Sequence, residues 1–135
     1  MNTIETRYFA GHESFYLREG WLKKALDVLV DDLSIFQNKN LIEAINVLGV
    51  GSNMVKAMKY WLEITELVAK ESNNEYILTD ECKLLRKYDP HFQNHNSIWI
   101  LHKNICKNSL IWQFLFVEQD LHIFSRERIF DVITN

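Results

Sequence analysis

Chain breakers are scarce in this sequence. There is one proline, Pro90, and there are four glycines in 135 residues. That scarcity leaves little room for long loops or linkers, and the length suits one domain better than two. Cysteine is almost as rare: Cys82 and Cys106 lie in unrelated segments, with no CxxC and no Cys/His pair at zinc spacing. A disulfide framework and a zinc module are therefore excluded, and a reduced, cytoplasmic protein is expected. A long apolar run is also lacking. The most apolar stretch, Leu110 to Val117, is interrupted by Gln113 and is far too short to span a bilayer. The start, MNTIETRYFAGHESF, is polar and has no apolar signal core. Positive charge is not in excess: 15 Lys and Arg face 18 Asp and Glu, a net charge of −3. Any contact with nucleic acid must come from a local basic patch. Repeats, a P-loop, GxGxxG and GxSxG are absent; Gly49-Val50-Gly51 lacks the Lys-Ser/Thr and the preceding strand of a phosphate loop. No cofactor, no metal and no enzymatic activity are expected of the chain.

What the sequence does have is apolar and aromatic material. Hydrophobic residues make up 47% and aromatics 13%, with four Trp, enough for a well-packed core. The pattern is organised around Leu48–Leu78. A tight turn, Leu48-Gly49-Val50-Gly51, opens a helix with Val55, Met58 and Leu62 on one face, and Met54 and Trp61 slightly off it. Asn53, Lys56 and Tyr60 fall on the opposite face. After Leu67 the period changes: Val68–Lys70 and Tyr76–Leu78 read as strands joined through Ser72-Asn73-Asn74. A helix after a tight turn, followed by a ribbon, matches the second half of a winged helix-turn-helix. Two positions depart from that motif. Gly51 stands where a Ser cap is usual, which leaves Ser52 or nothing to cap the helix, and Glu66 stands where Gly usually ends it.

The flanking pattern is helical. Gly20–Leu33 reads as an amphipathic helix with Trp21, Leu22, Ala25, Leu26, Leu29 and Leu33 on or near one side. Asn40 and Glu43 resemble a capping box opening a short helix, Leu41–Leu48. Thr79 caps a helix that stops near Tyr88, because Pro90 disfavours helix at Asp89. Asp89–Asn96 reads as a loop, and Ser97 as the cap of a helix carrying Ile98, Trp99, Leu101, His102 and Ile105. After a turn at Lys107-Asn108-Ser109, Leu110–Phe116 reads as an apolar helix at the centre of a second lobe, broken at Glu118–Asp120. Ser125 caps a last helix, Arg126–Ile133, which ends without a stop signal, as expected of either a longer chain cut short or a shortened family member. The expected fold is mainly α: a winged helix-turn-helix with a small β-hairpin wing over residues 1–88 and a helical C-terminal lobe over residues 89–135, in a single domain.

Three segments resemble a bacterial family of unassigned function, domain-of-unknown-function family 4007. They are Phe9-Ala10-Gly11-His12-Glu13-Ser14-Phe15 with Arg18, Trp21, Leu22 and Lys24; the Leu48–Val68 motif; and Tyr88-Asp89-Pro90 followed by Ile98-Trp99-Ile100-Leu101-His102. The family often has Pro where this chain has Tyr16, and its members are generally longer. The resemblance implies an accessory component of bacterial DNA-modification or phage-defence gene clusters.

The leading candidate site is the outward face of the Leu48–Leu67 helix. In a helix-turn-helix the first residues of the second helix meet base edges. Here those are Ser52, Asn53, Lys56 and Tyr60, with Lys59 placed to reach a phosphate. Glu63, and Glu71 and Glu75 beside the wing tip, oppose such contact. The alternative is a scaffold that binds a partner enzyme through the winged helix and an aromatic lobe. The expected partner is thus double-stranded DNA or a protein of a modification or defence complex. A second candidate is His12 with Glu13 beside Arg18, as the acid–base pair of an enzyme or the start of a metal-ligand set, or as a plain turn in which His12 and Glu13 bond local backbone and Arg18 pairs with Glu13; the plain turn is favoured over the enzyme. His91, His95, His102 and His122 lack the companions a zinc site needs, and His91 and His95 are expected in a loop. Trp99, Trp112, Phe114, Phe116 and Phe124 have the spacing of a core; any left exposed would mark a partner surface.

Overall fold

The computed structural model describes residues 12–118 and 125–134. Tyr8, Phe9, His122 and Phe124 lie outside the described residues. The molecule is mainly helical with one small antiparallel hairpin. Helix α1 is Trp21–Asp31, a 3-10 turn covers Asn38–Asn40, and α2 is Leu41–Leu48. Helix α3 is Ser52–Ile64, followed by strands β1 (Val68–Lys70) and β2 (Tyr76–Leu78) and by α4 (Asp80–Tyr88). The rest comprises α5 (His95–Asn108), a short α6 (Leu110–Gln113), a π-type turn over Phe114–Glu118, and α7 (Arg126–Thr134).

The core lies where α1, α2 and α3 cross and the hairpin folds under them. Leu26, Leu29, Leu48, Met58, Leu62 and Leu67 are fully buried there. Each such side chain contributes roughly 1.5–3 kcal/mol by leaving water. The α3 face read from the sequence is the buried one: Val55, Met58, Trp61 and Leu62 are all in the core, with Met54 half-buried. Gly49 ends α2 with φ 63°, its N–H donating to the Ile45 carbonyl at 2.8 Å. That left-handed conformation turns the chain sharply into α3 and is one that glycine adopts without strain.

The two strands expected at Val68–Lys70 and Tyr76–Leu78 are present, and the hairpin pairs Val68 with Leu78, Ala69 with Ile77 and Lys70 with Tyr76. Asn74 takes the left-handed conformation, φ 64°, that closes its loop. Backbone bonds anchor the ribbon at both ends: Tyr76 N–H donates to the Leu33 carbonyl, and Thr79 N–H to the Leu67 carbonyl. Thr79 also caps α4 as expected, its hydroxyl accepting from the Cys82 N–H at 3.1 Å.

Several local expectations are corrected. Helix α1 stops at Asp31, and Leu33 is exposed. The Asp32 carboxylate accepts from the Ser34 N–H and hydroxyl, and these bonds hold its pKa below the usual carboxylate range. Asn40 does not cap α2: its amide donates to the Ser34 carbonyl and hydroxyl, both at 3.0 Å. Ser52 does not cap α3 either, so the missing-cap alternative holds there. The cap of α5 is Asn94, not Ser97. Its side chain accepts from Asn96 N–H at 2.9 Å, so the helix starts at His95 and Ser97 is buried inside its first turn. The Asp89 carboxylate sets this up by accepting the Gln93 and Asn94 N–H groups. Leu110–Phe116 is not one helix at a lobe centre. It is a four-residue α-helix running into the π-type turn, and neither piece has a fully buried residue.

The expected weakness at Glu66 has a structural account. Glu66 has φ 57°, the conformation for which glycine is usual. Its carboxylate accepts from Lys107 Nζ at 2.7 Å and Asn108 Nδ2 at 2.9 Å, on the last turn of α5. The Lys107 contact, then Asn108, hold its pKa below the usual range. Beside it the buried Asn104 donates to the Thr65 carbonyl at 2.9 Å and to Glu81, while Asn108 also donates to the Ile64 carbonyl at 3.2 Å. The carbonyls at the end of α3, which lack intrahelical partners, are thus satisfied from α5. A glycine at position 66 would relax the backbone but break this join.

Candidate nucleic-acid interface

The five residues singled out on α3 do not share one environment. Ser52 and Asn53 are exposed at its start, as is Lys56 one turn on. Lys59 is half-buried, its ammonium 5.8 Å from the centre of the Tyr76 ring. The Tyr76 hydroxyl in turn donates to the Glu63 carboxylate. Glu63 therefore ties α3 to the hairpin rather than standing as an isolated negative charge. Tyr60 is half-buried: its ring packs edge-on against His12 and Trp61, and burial raises its phenol pKa above the ordinary value.

The two candidate segments meet. The His12–Phe15 turn lies along α3, with the His12 ring stacked on Trp61 and the Trp61 indole donating to the Phe15 carbonyl at 3.1 Å. Glu13 faces Lys56 at 4.0 Å. The expected Arg18–Glu13 pair is not formed, because Arg18 instead stacks its guanidinium on Phe15, Tyr16 and Trp21. Glu13 and Ser14 both take left-handed conformations, φ 50° and 66°.

Residues outside the predicted set complete a basic cleft. Lys39, beside the 3-10 turn's asparagines, Lys59 on α3 and Lys70 at the end of β1 line a cavity of about 320 Å³ with Asn38, Asn73 and Asn74. A smaller cavity of about 200 Å³ continues from it past Asn38 and Lys59 to Lys56. Four lysines from three elements therefore follow one track on a chain of net negative charge. Neither Glu71 nor Glu75 lines it, and Glu75 accepts from the Asn73 amide at 2.9 Å within the loop. Lys39 and Lys70 carry no local motif. Their only signal in the sequence is an isolated cation in each of two polar segments that become neighbours on folding.

The remaining candidates separate. His95 opens α5 rather than lying in a loop, and His91 precedes it in the loop. His102 is half-buried among Trp99, Trp112 and Phe116, its Nε2 3.5 Å from Cys106 Sγ. No group of three or more His, Cys, Asp or Glu side chains among the described residues could hold a metal ion. Trp99 and Val117 are 69% and 66% exposed, so part of the aromatic set is surface, while Trp112 packs against the core. Among the described residues no helix is long and apolar enough to cross a membrane.

The fold defines a mainly helical protein in which a helix pair and a two-stranded hairpin are joined to further helices. The chain belongs to the family described as protein of unknown function (DUF4007), whose model matches residues 9–135. It is similar to a solved structure titled "Magnesium ion-bound SspB crystal structure", with 27% identity, a TM-score of 0.75, and coverage of 93% of this chain and 40% of that one. A second, "SspB crystal structure", is 28% identical with a TM-score of 0.72, covering 93% of this chain and 41% of that one. The chain thus spans about 40% of the length of the solved structures it matches. No curated protein matches the sequence.

Proposed function

We propose that α2, α3 and the hairpin act as a winged helix-turn-helix that grips double-stranded DNA, in a protein accessory to bacterial DNA modification or defence. The observation that carries this reading is the lysine track. Lys39, Lys59 and Lys70 come from the turn before α2, from α3 and from the wing strand, the three places where such a module meets a phosphate backbone. The amides of Asn38, Asn73 and Asn74 add uncharged donors on the same cleft. Ser52 and Asn53, exposed at the start of α3, are placed for base edges, and Lys56 lies between them and the cleft. Glu13 restrains Lys56, so base contact by Lys56 requires that ion pair to open. The family resemblance supports the setting in modification or defence. Binding to a random duplex, titrated at low and high salt, tests the proposal: affinity must fall steeply with salt. Retention that ignores salt, or no retention at low salt, refutes it.

A second reading rests on a different observation. Trp99, Phe116 and Val117 leave apolar surface exposed around α5 and the π-type turn. In this reading a partner enzyme docks there and the basic track is incidental. Trp99→Ala would then abolish co-purification of that partner while leaving duplex binding untouched. Both readings take the chain as a binding module.

A further inference from the structure

Away from the lysine track, a second cavity of about 470 Å³ opens between the segment leading into α1 and the face of α5. Its walls are apolar: Leu22 on one side, Leu101, Ile105 and Trp112 on the other, with Ile98 at the rim. The size falls in the range of small-ligand sites, which pair apolar walls with a few polar groups that fix orientation. The cavity's polar lining is Arg18, Glu19, Lys23, His91, Gln93 and His102, and the charged donor taken to fix orientation is Arg18. Its guanidinium carbon sits 5.7, 5.5 and 5.1 Å from the ring centres of Phe15, Tyr16 and Trp21. A guanidinium held against aromatic rings keeps its N–H donors at its edge. No described carboxylate pairs with Arg18, whereas Lys23, also lining the cavity, pairs with Asp27.

We infer that this cavity is a binding site for a small monoanionic carboxylic acid with an apolar body. The body fills the space against Leu101, Ile105 and Trp112, and the carboxylate meets the free edge of Arg18. Glu19 also lines the cavity and repels a second negative charge, which favours a carboxylate over a phosphate dianion. A fixed planar donor fork on an aromatic platform recognises a carboxylate by paired hydrogen bonds. The site stands apart from the DNA face and does not depend on it.

The test is calorimetric titration of the whole chain with decanoate, with decanol as the uncharged body and acetate as the charge alone. Decanoate is expected to saturate a single site, decanol to bind at least about tenfold more weakly, and acetate not to compete. Arg18→Gln is expected to cost decanoate about tenfold and leave decanol unchanged. Ile98→Glu, at a half-exposed rim position that spares the core, is expected to weaken both. In nitrogen-edited spectra the Trp112 indole signal moves with decanoate and the Trp61 signal does not. Equal binding of decanol and decanoate, an Arg18→Gln variant with undiminished decanoate affinity, or a shift at Trp61 in place of Trp112 each overturns the assignment.

Discussion

Replacing Lys39 and Lys70 by Gln removes two charges from the lysine track while leaving the core alone, because both side chains are exposed. Lys59 is the poorer choice, since it also lies against the Tyr76 ring. If each lysine neutralises one phosphate of a duplex, the slope of log affinity against log salt should become shallower by about 0.9 for each, or about 1.8 for the pair. Near 0.1 M salt each contact is worth roughly 0.9 of a decade, so the double variant should bind about 60-fold more weakly, near 2.5 kcal/mol. The assay is fluorescence anisotropy of a labelled duplex over a salt series, with the thermal midpoint of each protein measured alongside. An unchanged slope with an unchanged midpoint would refute the reasoning: the cleft would then be basic but not a phosphate site. A lost slope with a collapsed midpoint would be answered by the single variants, each of which should cost about one half of the slope change.

Other outcomes follow from the same geometry. Glu13→Gln frees Lys56 from an exposed ion pair, so duplex affinity should rise and the salt slope should steepen by about 0.9, with stability changed by less than about 1 kcal/mol; anisotropy and a thermal melt check both. Asn104→Ala leaves the Thr65 carbonyl without its donor in a buried site and should destabilise by about 1–3 kcal/mol in a urea melt. The Glu66 pKa is depressed in the folded state, so its contribution is present above the unfolded carboxylate value and is lost as pH falls through the folded one. Glu66→Gln should therefore flatten the acid side of a stability–pH curve and leave its alkaline side in shape. Burial pushes the Cys82 thiol up to about 11, so in the native protein iodoacetamide should label Cys106 first and Cys82 only on unfolding.

Much of this fold could be read from local pattern, and the reason is visible in particular residues. Val68–Lys70 and Tyr76–Leu78 each begin on a buried residue and flank a loop rich in Asn, so strand composition and turn chemistry agree. Thr79 followed by two acids marks a helix start in which cap and dipole agree. Caps with a rival partner were harder. Asn40 looked free to cap α2, but Ser34 offered its amide two acceptors, and Asp89 organised the loop so that Asn94 took the place expected of Ser97. Hydrophobicity misplaced Leu110–Phe116, because an apolar run signals burial without saying whether neighbours will cover it. The α3 face was legible, but its use of Tyr60 against His12 and Trp61 depends on a turn distant in sequence. Lys39 and Lys70 were invisible as site residues for the same reason: only the docking of the hairpin beside α3 and the turn before α2 brings them together.

The most direct measurement is a map of backbone amide shifts as a short duplex is titrated into the protein. The account predicts that the largest changes fall on Asn38 and Lys39, on Ser52 through Lys59, and on Lys70 through Asn74, and that they fade as salt rises. Changes confined to Trp99 through Val117, or a spectrum that the duplex leaves untouched at low salt, would contradict it.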